Sequence, residues 1–209
     1  MRMGSREAEG MLAAAFGIDQ GRLLRFRGRL DHLRRHGCPS GSNTGKGRAA
    51  VFGWGQLLEL MIALTLLDLG ISPEHAARVV KENEVLIDLA VHQLINREHG
   101  AVVAMASAQK WKWPAKKSVY LIGSVFALAG MRDDDAIEGP SVQVVDYRQL
   151  LAHLQEANFT EASGFMIDLG TRLATLIAIV RSWTRGDLTM IVEDLRQWVS
   201  EATHSTLGL

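Results

Sequence analysis

Apolar side chains near the start of the chain recur every three or four positions, a spacing that predicts two helices separated by a tight turn. The first helix is short and alanine-rich, covers residues 8–16 and stops at Gly17. Asp19 is a good N-cap for the second helix, which is expected to run to about residue 36. Residues 1–7 lack this pattern and are expected to be a disordered tail.

A loop and two further helices are predicted next. Residues 39–48 are rich in Gly, Ser and Asn and predict a loop or short hairpin, with 49–52 as its return strand. Residues 56–69 form the most apolar helix, and its few polar interruptions indicate that it is buried on most sides. Ser72, as N-cap, and the proline after it open another helix, which is expected to continue to about Ile95.

The C-terminal half shows shorter patterns. Residues with β-branched and aromatic side chains predict strands there, and apolar repeats predict helices. The expected fold class is therefore mainly α, with a small β element in the C-terminal half. The predicted strands and helices are, in chain order, 119–127, 142–145, 147–157, 161–183 and 187–202.

Length and composition allow one domain or two small ones. The chain has 209 residues, of which 47% are hydrophobic, so it can form a substantial core. The patterns favour an N-terminal domain over 8–82 and a connector helix with a linker over 83–117. The remainder, 118–209, is expected to be a C-terminal dimerisation or effector domain.

Basic residues are concentrated in one segment, although the whole chain is neutral. The chain has 23 basic and 23 acidic residues. From Arg22 to Arg48, Asp31 is the one acid among eight Lys and Arg residues, which gives this segment a net charge of +7. A charge split of this kind is typical of a polyanion-binding module joined to a different part.

Two common kinds of site lack the residues that they require. A single cysteine, Cys38, excludes an internal disulfide and a cysteine-rich zinc site. Residues 41–48 are comparable to a phosphate-binding loop. However, Ser40 stands where that motif needs a glycine, and Gly47 stands where it needs Ser or Thr. We therefore expect no nucleotide-binding loop in this segment.

No pattern of catalytic or metal-binding residues is recognisable either. His32 and His36 lie one helical turn apart, but no third ligand at a suitable spacing completes a metal site. Every apolar stretch is shorter than the roughly 20 residues that a membrane span needs. The N-terminus lacks the apolar run of a signal peptide. We therefore expect a cytoplasmic protein that is not an enzyme, has no cofactor or metal, and does not contact a membrane.

Four segments within residues 8–82 follow one another as a short helix with its turn, a basic helix, a glycine-rich segment and an apolar helix pair. They are, in chain order, LAAAFGI (12–18), LLRFRGRLDHL (23–33), GKGRAAVF (45–52) and QLLELMIALTLLDLGISPEHAARVV (56–80). They resemble the first helix and turn, the recognition helix, the wing and the paired helices behind the wing in the DNA-binding half of the MerR family of transcription regulators. Arg27 stands where that family has a second aromatic residue, and Ala50 stands where it has an arginine.

The resemblance implies a winged helix-turn-helix, followed by a helical C-terminal domain with the small β element. Its recognition helix, at about residues 19–36, would lie in the major groove of DNA. Its wing, at about residues 40–52, would lie on the phosphate backbone.

Helical spacing divides the side chains of the predicted recognition helix between its faces. Arg22, Arg25 and Arg29 share one face, which is expected to meet DNA, whereas Arg27 lies on another. The apolar residues are expected to pack inward. These are Leu23, Phe26, Leu30 and Leu33.

Position along the helix divides the roles further. Gln20 and Arg22, near the helix start, are best placed for base edges in the groove. The basic residues near the helix end and in the wing are expected to contact phosphates. The full set of predicted DNA-binding residues is Gln20, Arg22, Arg25, Arg27, Arg29, Arg34, Arg35, Lys46 and Arg48.

Together these observations predict a sequence-specific transcription regulator that binds double-stranded DNA as a homodimer. No sequence feature identifies a small-molecule effector. The alternative is an interaction module whose basic region, 22–48, binds an acidic protein or RNA without specificity for a DNA sequence. DNA binding that weakens steeply with salt and still shows a sequence preference separates the two.

Overall fold

The polypeptide folds mainly into helices and adds two small antiparallel sheets, which agrees with the predicted fold class. A computed structural model describes residues 1–41, 50–97, 115–124, 142–156 and 164–207. Its elements are, in chain order, β1 (Met3–Gly4), α1 (Ser5–Ala15), a 3-10 turn (Gln20–Arg22), α2 (Leu23–Arg35), β2 (Val51–Phe52), α3 (Trp54–Asp68), α4 (Pro73–Glu82), α5 (Glu84–Arg97), a second 3-10 turn (Ala115–Lys117), β3 (Val119–Ser124), β4 (Val142–Asp146), α6 (Tyr147–Glu156), β5 (Gly164–Asp168), α7 (Leu169–Thr184) and α8 (Leu188–Leu207).

Two short strands join the N-terminus to the segment before α3. β1 and β2 pair antiparallel with Met3 opposite Phe52, and both side chains are buried. α1 follows β1 directly, where the Gly4 N–H donates to Glu7 Oε2 at 2.9 Å. The expected disordered tail over 1–7 is therefore wrong. Its order comes from pairing with a distant segment, which local sequence patterns do not show.

β2 lies where the sequence predicts the return strand of a hairpin over 39–52. Its partner among the described strands is β1. Residues 42–49, which hold most of the predicted wing, lie outside the described residues.

Capping signals set the ends of the helices around α2, as predicted. Gly17 follows α1 in the left-handed conformation, with φ of 60°. The Asp19 carboxylate accepts the Arg22 N–H at 3.1 Å and so opens the turn that leads into α2. The Ser72 hydroxyl accepts the His75 N–H at 3.3 Å at the start of α4.

The long helix predicted to follow Ser72 is instead two helices, because the helical conformation is interrupted at Asn83. The Asn83 side-chain amide donates to the Val79 carbonyl at 2.8 Å, and the backbone there leaves the helical conformation. Asparagine side chains compete with the backbone for such hydrogen bonds, which favours a helix end. α5 then packs into the core through Ile87 and Val91, so it is not an isolated connector.

The second sheet lies in the C-terminal half, with strand order β4-β3-β5 and both pairs antiparallel. β3 and β4 match the two predicted strands, and 125–127 of the first prediction lie outside the described residues.

The third strand of this sheet, β5, lies within the range 161–183 for which the sequence predicts a helix, so the first part of that prediction is wrong. The strand shows period-two burial, since Phe165 and Ile167 are buried while Met166 is exposed. α7 begins only after Asp168, whose carboxylate caps it.

One continuous apolar core unites the two halves of the chain. α3 lies at its centre, and eleven of its fifteen residues are buried, as its apolar pattern predicts. The same core contains Leu121 of β3, Leu173 of α7 and Leu195 of α8. The structure therefore does not separate 8–82 from 118–209, which differs from the predicted division into domains.

Two tryptophans of the C-terminal half pack closely against helices of the N-terminal half. A Cβ atom on Gly55 of α3 would lie 3.2 Å from the ring of Trp198 of α8. A Cβ atom on Gly10 of α1 would lie 2.6 Å from the ring of Trp183 of α7. Glycine at both positions lets the helices approach these rings.

Candidate nucleic-acid interface

α2 carries most of the predicted DNA-binding residues, and a narrow apolar seam holds it on the protein. Phe26, Leu30 and Leu33 are buried in the core, and Leu23 packs against it. These are the four residues that helical spacing predicts to face inward. The seam rests mainly on α4 and α1, which leaves the rest of α2 facing outward.

The three arginines predicted to share a face lie along one exposed side of α2. The side chains of Arg22 and Arg29 are 75% and 60% exposed, and Arg25 between them is also exposed. We call these three the arginine row. Spacings of three and four residues place their guanidinium groups on neighbouring turns.

Two members of the arginine row have acidic neighbours. Arg22 lies 3.2 Å from Asp19, and Arg29 lies 3.8 Å from Asp68 at the end of α3. Both pairs are exposed to water, where ion pairs contribute little and are easily exchanged. Arg25 has no ion pair with any residue that the structure describes. The row is therefore available to an external anion.

Arg27 faces α1 and not the arginine row. Its guanidinium binds Glu9 through two groups, with Nη2 at 2.6 Å and Nε at 3.0 Å from the carboxylate oxygens. The hydrogen bond from Arg27 lowers the pKa of Glu9 below its ordinary value. This contact joins α1 to α2, which the spacing within α2 cannot reveal.

Arg34 is also engaged within the protein. It donates to Asp31 at 3.1 Å and to the Ser5 hydroxyl at 2.9 Å, and its guanidinium lies 5.5 Å from the centre of the Phe52 ring. Its side chain is only 26% exposed. Arg34 therefore connects the end of α2 to the start of α1 and to β2.

The other predicted site residues differ in how much the structure says of them. Gln20 lies exposed in the turn before α2, next to the arginine row, and Arg35 is exposed at the end of α2. Lys46 and Arg48 lie outside the described residues. Gln20 thus lies near the arginine row, whereas Arg27 and Arg34 make their contacts with other residues of the protein.

Two exposed residues on α2 are absent from the predicted set. Leu24 is 76% exposed, and Gly28, one turn later, has open space where a Cβ atom would lie. Both lie opposite the apolar seam, on the side of α2 that also carries Arg35. The sequence contained a signal, because Leu24 falls outside the inward-facing spacing of the other leucines.

A buried carboxylate holds Ser40, shortly after the end of α2. The Ser40 N–H donates to Glu59 Oε2 at 2.7 Å, and the Ser40 hydroxyl donates to Glu84 at 3.1 Å. The Gln56 amide donates to the Ser40 carbonyl at 3.4 Å. We call this arrangement the Ser40 anchor. It fixes Ser40, two residues before 42–49, to α3 and α5.

Burial perturbs the ionisable groups around the Ser40 anchor. Glu59 is 5% exposed, and loss of water raises its pKa to about 7. Burial likewise raises the pKa of Asp88, on α5, to about 6, and it raises the pKa of the Cys38 thiol. In the sequence, Glu59 stands out only as a polar interruption of an apolar helix. Within the described residues, no group of three His, Cys, Asp or Glu side chains has metal-binding geometry.

A cavity of about 540 Å³ lies between the β1–β2 pair and α8. Asp194 on its wall accepts hydrogen bonds from the Met1 ammonium, at 2.6 Å, and from the Trp54 indole, at 2.8 Å. Burial raises the pKa of Asp194, but these two donors outweigh that effect and leave it below its ordinary value. The carboxylate in this cavity is therefore already occupied by groups of the same chain.

Comparisons with known proteins do not place the chain in a family. No protein-family model matches it, and no curated protein matches it. Among the helices that the structure describes, none has the length and apolar character that a membrane crossing requires. The resemblance to MerR-type regulators therefore depends on the sequence segments quoted above.

Proposed function

We propose that the protein is a sequence-specific transcription regulator that binds double-stranded DNA, with α2 in the major groove. The observation that carries this proposal is the way in which α2 is attached to the core. One seam of apolar residues attaches it to the core, and the arginine row is exposed along its outer side. A helix attached in this way can enter a groove without disturbing the core.

The charges of α2 also favour a polyanionic partner. Arg25 and Arg35 are exposed and have no ion pair among the described residues, while Arg22 and Arg29 have only exposed, exchangeable partners. A guanidinium group can donate two parallel hydrogen bonds to a phosphate or to the edge of a guanine. The arginine row can therefore contact both the DNA backbone and the bases.

The described residues on either side of 42–49 support the role of a wing for this segment, because the fold holds both of them. At one end, the Ser40 anchor ties the chain to α3 and α5. At the other end, β2 pairs with β1. The segment between them contains Lys46 and Arg48, which suit contacts with the phosphate backbone.

The proposed regulator acts as a homodimer on paired half-sites, because two-fold symmetry doubles the contacts of each recognition helix. The proposal places the protein in the cytoplasm, where it reaches DNA directly.

Fluorescence anisotropy with labelled duplexes tests the proposal, using the full chain over a series of salt concentrations. Duplexes are first selected from a random pool. The double variant Arg25→Glu, Arg29→Glu is expected to lose about 100-fold or more in affinity, because two phosphate contacts become repulsions. The control is Arg148→Glu, which reverses an exposed charge on α6.

Three results would contradict DNA binding through α2. The selection could enrich no duplex sequence, the affinity could be independent of salt, or the double variant could bind as well as the control. Equal binding to any RNA or acidic protein, with no preferred duplex, would instead favour the interaction module.

A further inference from the structure

The outer surface of α2 has one position where the fold gives no reason for the residue that occupies it. Gly28 lies in the middle of the helix, and a Cβ atom there would meet nothing within 4 Å. Glycine weakens a helix interior relative to alanine, and the helical backbone at this position does not require it. The missing side chain therefore benefits no contact within the described protein.

Leu24 lies one turn before Gly28 on the same side. Its side chain is 76% exposed, more than any other large hydrophobic side chain that the structure describes as exposed. It lies outside the core cluster that contains the seam of Phe26, Leu30 and Leu33. Leu24 and Gly28 thus form an apolar knob beside an open stretch of helix backbone, and we call them the knob and gap.

Charges surround the knob and gap on the outer surface. Arg25 adjoins Leu24, and Arg35 lies two turns after Gly28 on the same side. Asp31 also lies on this side, and its carboxylate is paired with Arg34 at 3.1 Å. A partner that fits this surface presents anionic groups at its margins and an apolar group at its centre. The major groove of DNA has this arrangement, with phosphates on both sides and the C5-methyl group of thymine on its floor.

We infer that Leu24 and Gly28 are the base-reading point of α2, where Leu24 packs against a thymine methyl group and Gly28 lets the helix backbone approach the groove floor. This inference depends on the proposed DNA binding. In this inference two uncharged residues select the DNA sequence. The arginine row contributes affinity through phosphates and contacts other base edges.

The experiment removes the methyl group without changing the base pairing. Each thymine of a selected duplex is replaced in turn by uracil, and the full chain is titrated with each duplex. At one position of each half-site, loss of the methyl group is expected to weaken binding about fourfold, the value of one buried methyl group. The Leu24→Ala variant is expected to bind the thymine and uracil duplexes equally.

Met190→Ala is the matched control, because Met190 is a similarly exposed apolar side chain, 73% exposed, on α8. It is expected to retain the fourfold preference for thymine. A Leu24→Ala variant that keeps this preference, or a wild-type chain with no thymine whose methyl group matters, would overturn the inference while DNA binding still stands. Failure of the wild-type chain to bind any duplex would overturn the proposed function as well.

Gly28→Ala separates the gap from a merely structural role. Alanine should strengthen α2 and raise the melting temperature by about 2–4 °C. The same variant is expected to bind the selected duplex at least about tenfold more weakly, because the added methyl group blocks the close approach. An affinity that stays equal or rises along with the melting temperature would exclude the close approach.

Discussion

The buried carboxylate of Glu59 makes the stability of this protein depend on pH, and Glu59→Gln tests that dependence. Glu59 lies in the most buried helix, α3, and accepts the Ser40 N–H at 2.7 Å. Glu84 and Asp88, both on α5, add negative charge around it. Glutamine has nearly the same shape, and its carbonyl can accept the same hydrogen bond, so the substitution removes mainly the charge.

The direction of the effect follows from the pKa. Burial raises the pKa of Glu59 from 4.5 to about 7, so the folded protein binds this proton more tightly than the unfolded chain does. The free energy of unfolding therefore falls as the pH rises from about 4.5 to about 7, and it levels off above that. One pH unit corresponds to ~1.36 kcal/mol, which makes the full loss about 3 kcal/mol. That is a large share of the stability of an ordinary domain, about 5–15 kcal/mol.

The assay is urea unfolding of the wild type and of Glu59→Gln at several pH values from 5 to 8. The two proteins should be similarly stable at pH 5. At pH 8 the variant is expected to be more stable by about 2–3 kcal/mol, because it has no buried charge to desolvate. Glu82→Gln, at an exposed position on α4, is the control and should follow the wild type at every pH. A difference between wild type and Glu59→Gln that does not change with pH would refute the reasoning.

Two further predictions concern the shared core and the C-terminal helices. A fragment that ends at residue 82 leaves much of α3 without cover, so its urea unfolding should lack the cooperative transition of the full chain; a sharp transition would show that 8–82 folds alone. Asp168→Ala removes the carboxylate that accepts the Thr171 N–H and hydroxyl at 3.0 and 2.8 Å, and also the partner of the Ser118 hydroxyl. It should lower the free energy of unfolding by about 1–2 kcal/mol, whereas an unchanged urea midpoint would contradict this role as a cap.

Sequence patterns predict best where a local cause determines the structure. The apolar seam of α2 and the capping residues Asp19 and Ser72 act over a few residues, and all of them were predictable from spacing and residue type. The break at Asn83 is also local, but it depends on which of two hydrogen-bonding choices one side chain makes. The presence of an asparagine in the sequence does not show which of these two hydrogen bonds it makes.

The features that sequence analysis missed depend on distant partners. β1 has two residues, and its order comes from β2 and from burial of Met3. β5 is short and lies directly before a helix, so its period-two burial is hidden by the stronger helical pattern that follows. Two separate domains were expected from the local patterns and from the uneven charge along the chain, but neither shows which apolar faces pack together.

The candidate site shows the same division. Spacing within α2 places Arg22, Arg25 and Arg29 together, because helix geometry is local. Arg27 and Arg34 belonged to the predicted site by charge alone. Apart from Asp31 on α2 itself, their partners are Glu9, Ser5 and Phe52 on other elements, and that information is present only in the folded chain.

Different residues of α2 attach it to the protein and are proposed to meet DNA. We therefore expect that effects on DNA binding and effects on folding can be measured separately. The residues that hold the helix are its apolar seam and the two arginines with internal partners, Arg27 and Arg34. The residues proposed to meet DNA lie outside this seam. The ion pairs of Arg22 and Arg29 are exposed and therefore contribute little to the fold. Substitutions at Leu24, Arg25 and Gly28 should therefore change duplex affinity without lowering the free energy of unfolding. Substitutions at Arg27 or Arg34 should lower stability first and affinity only as a consequence.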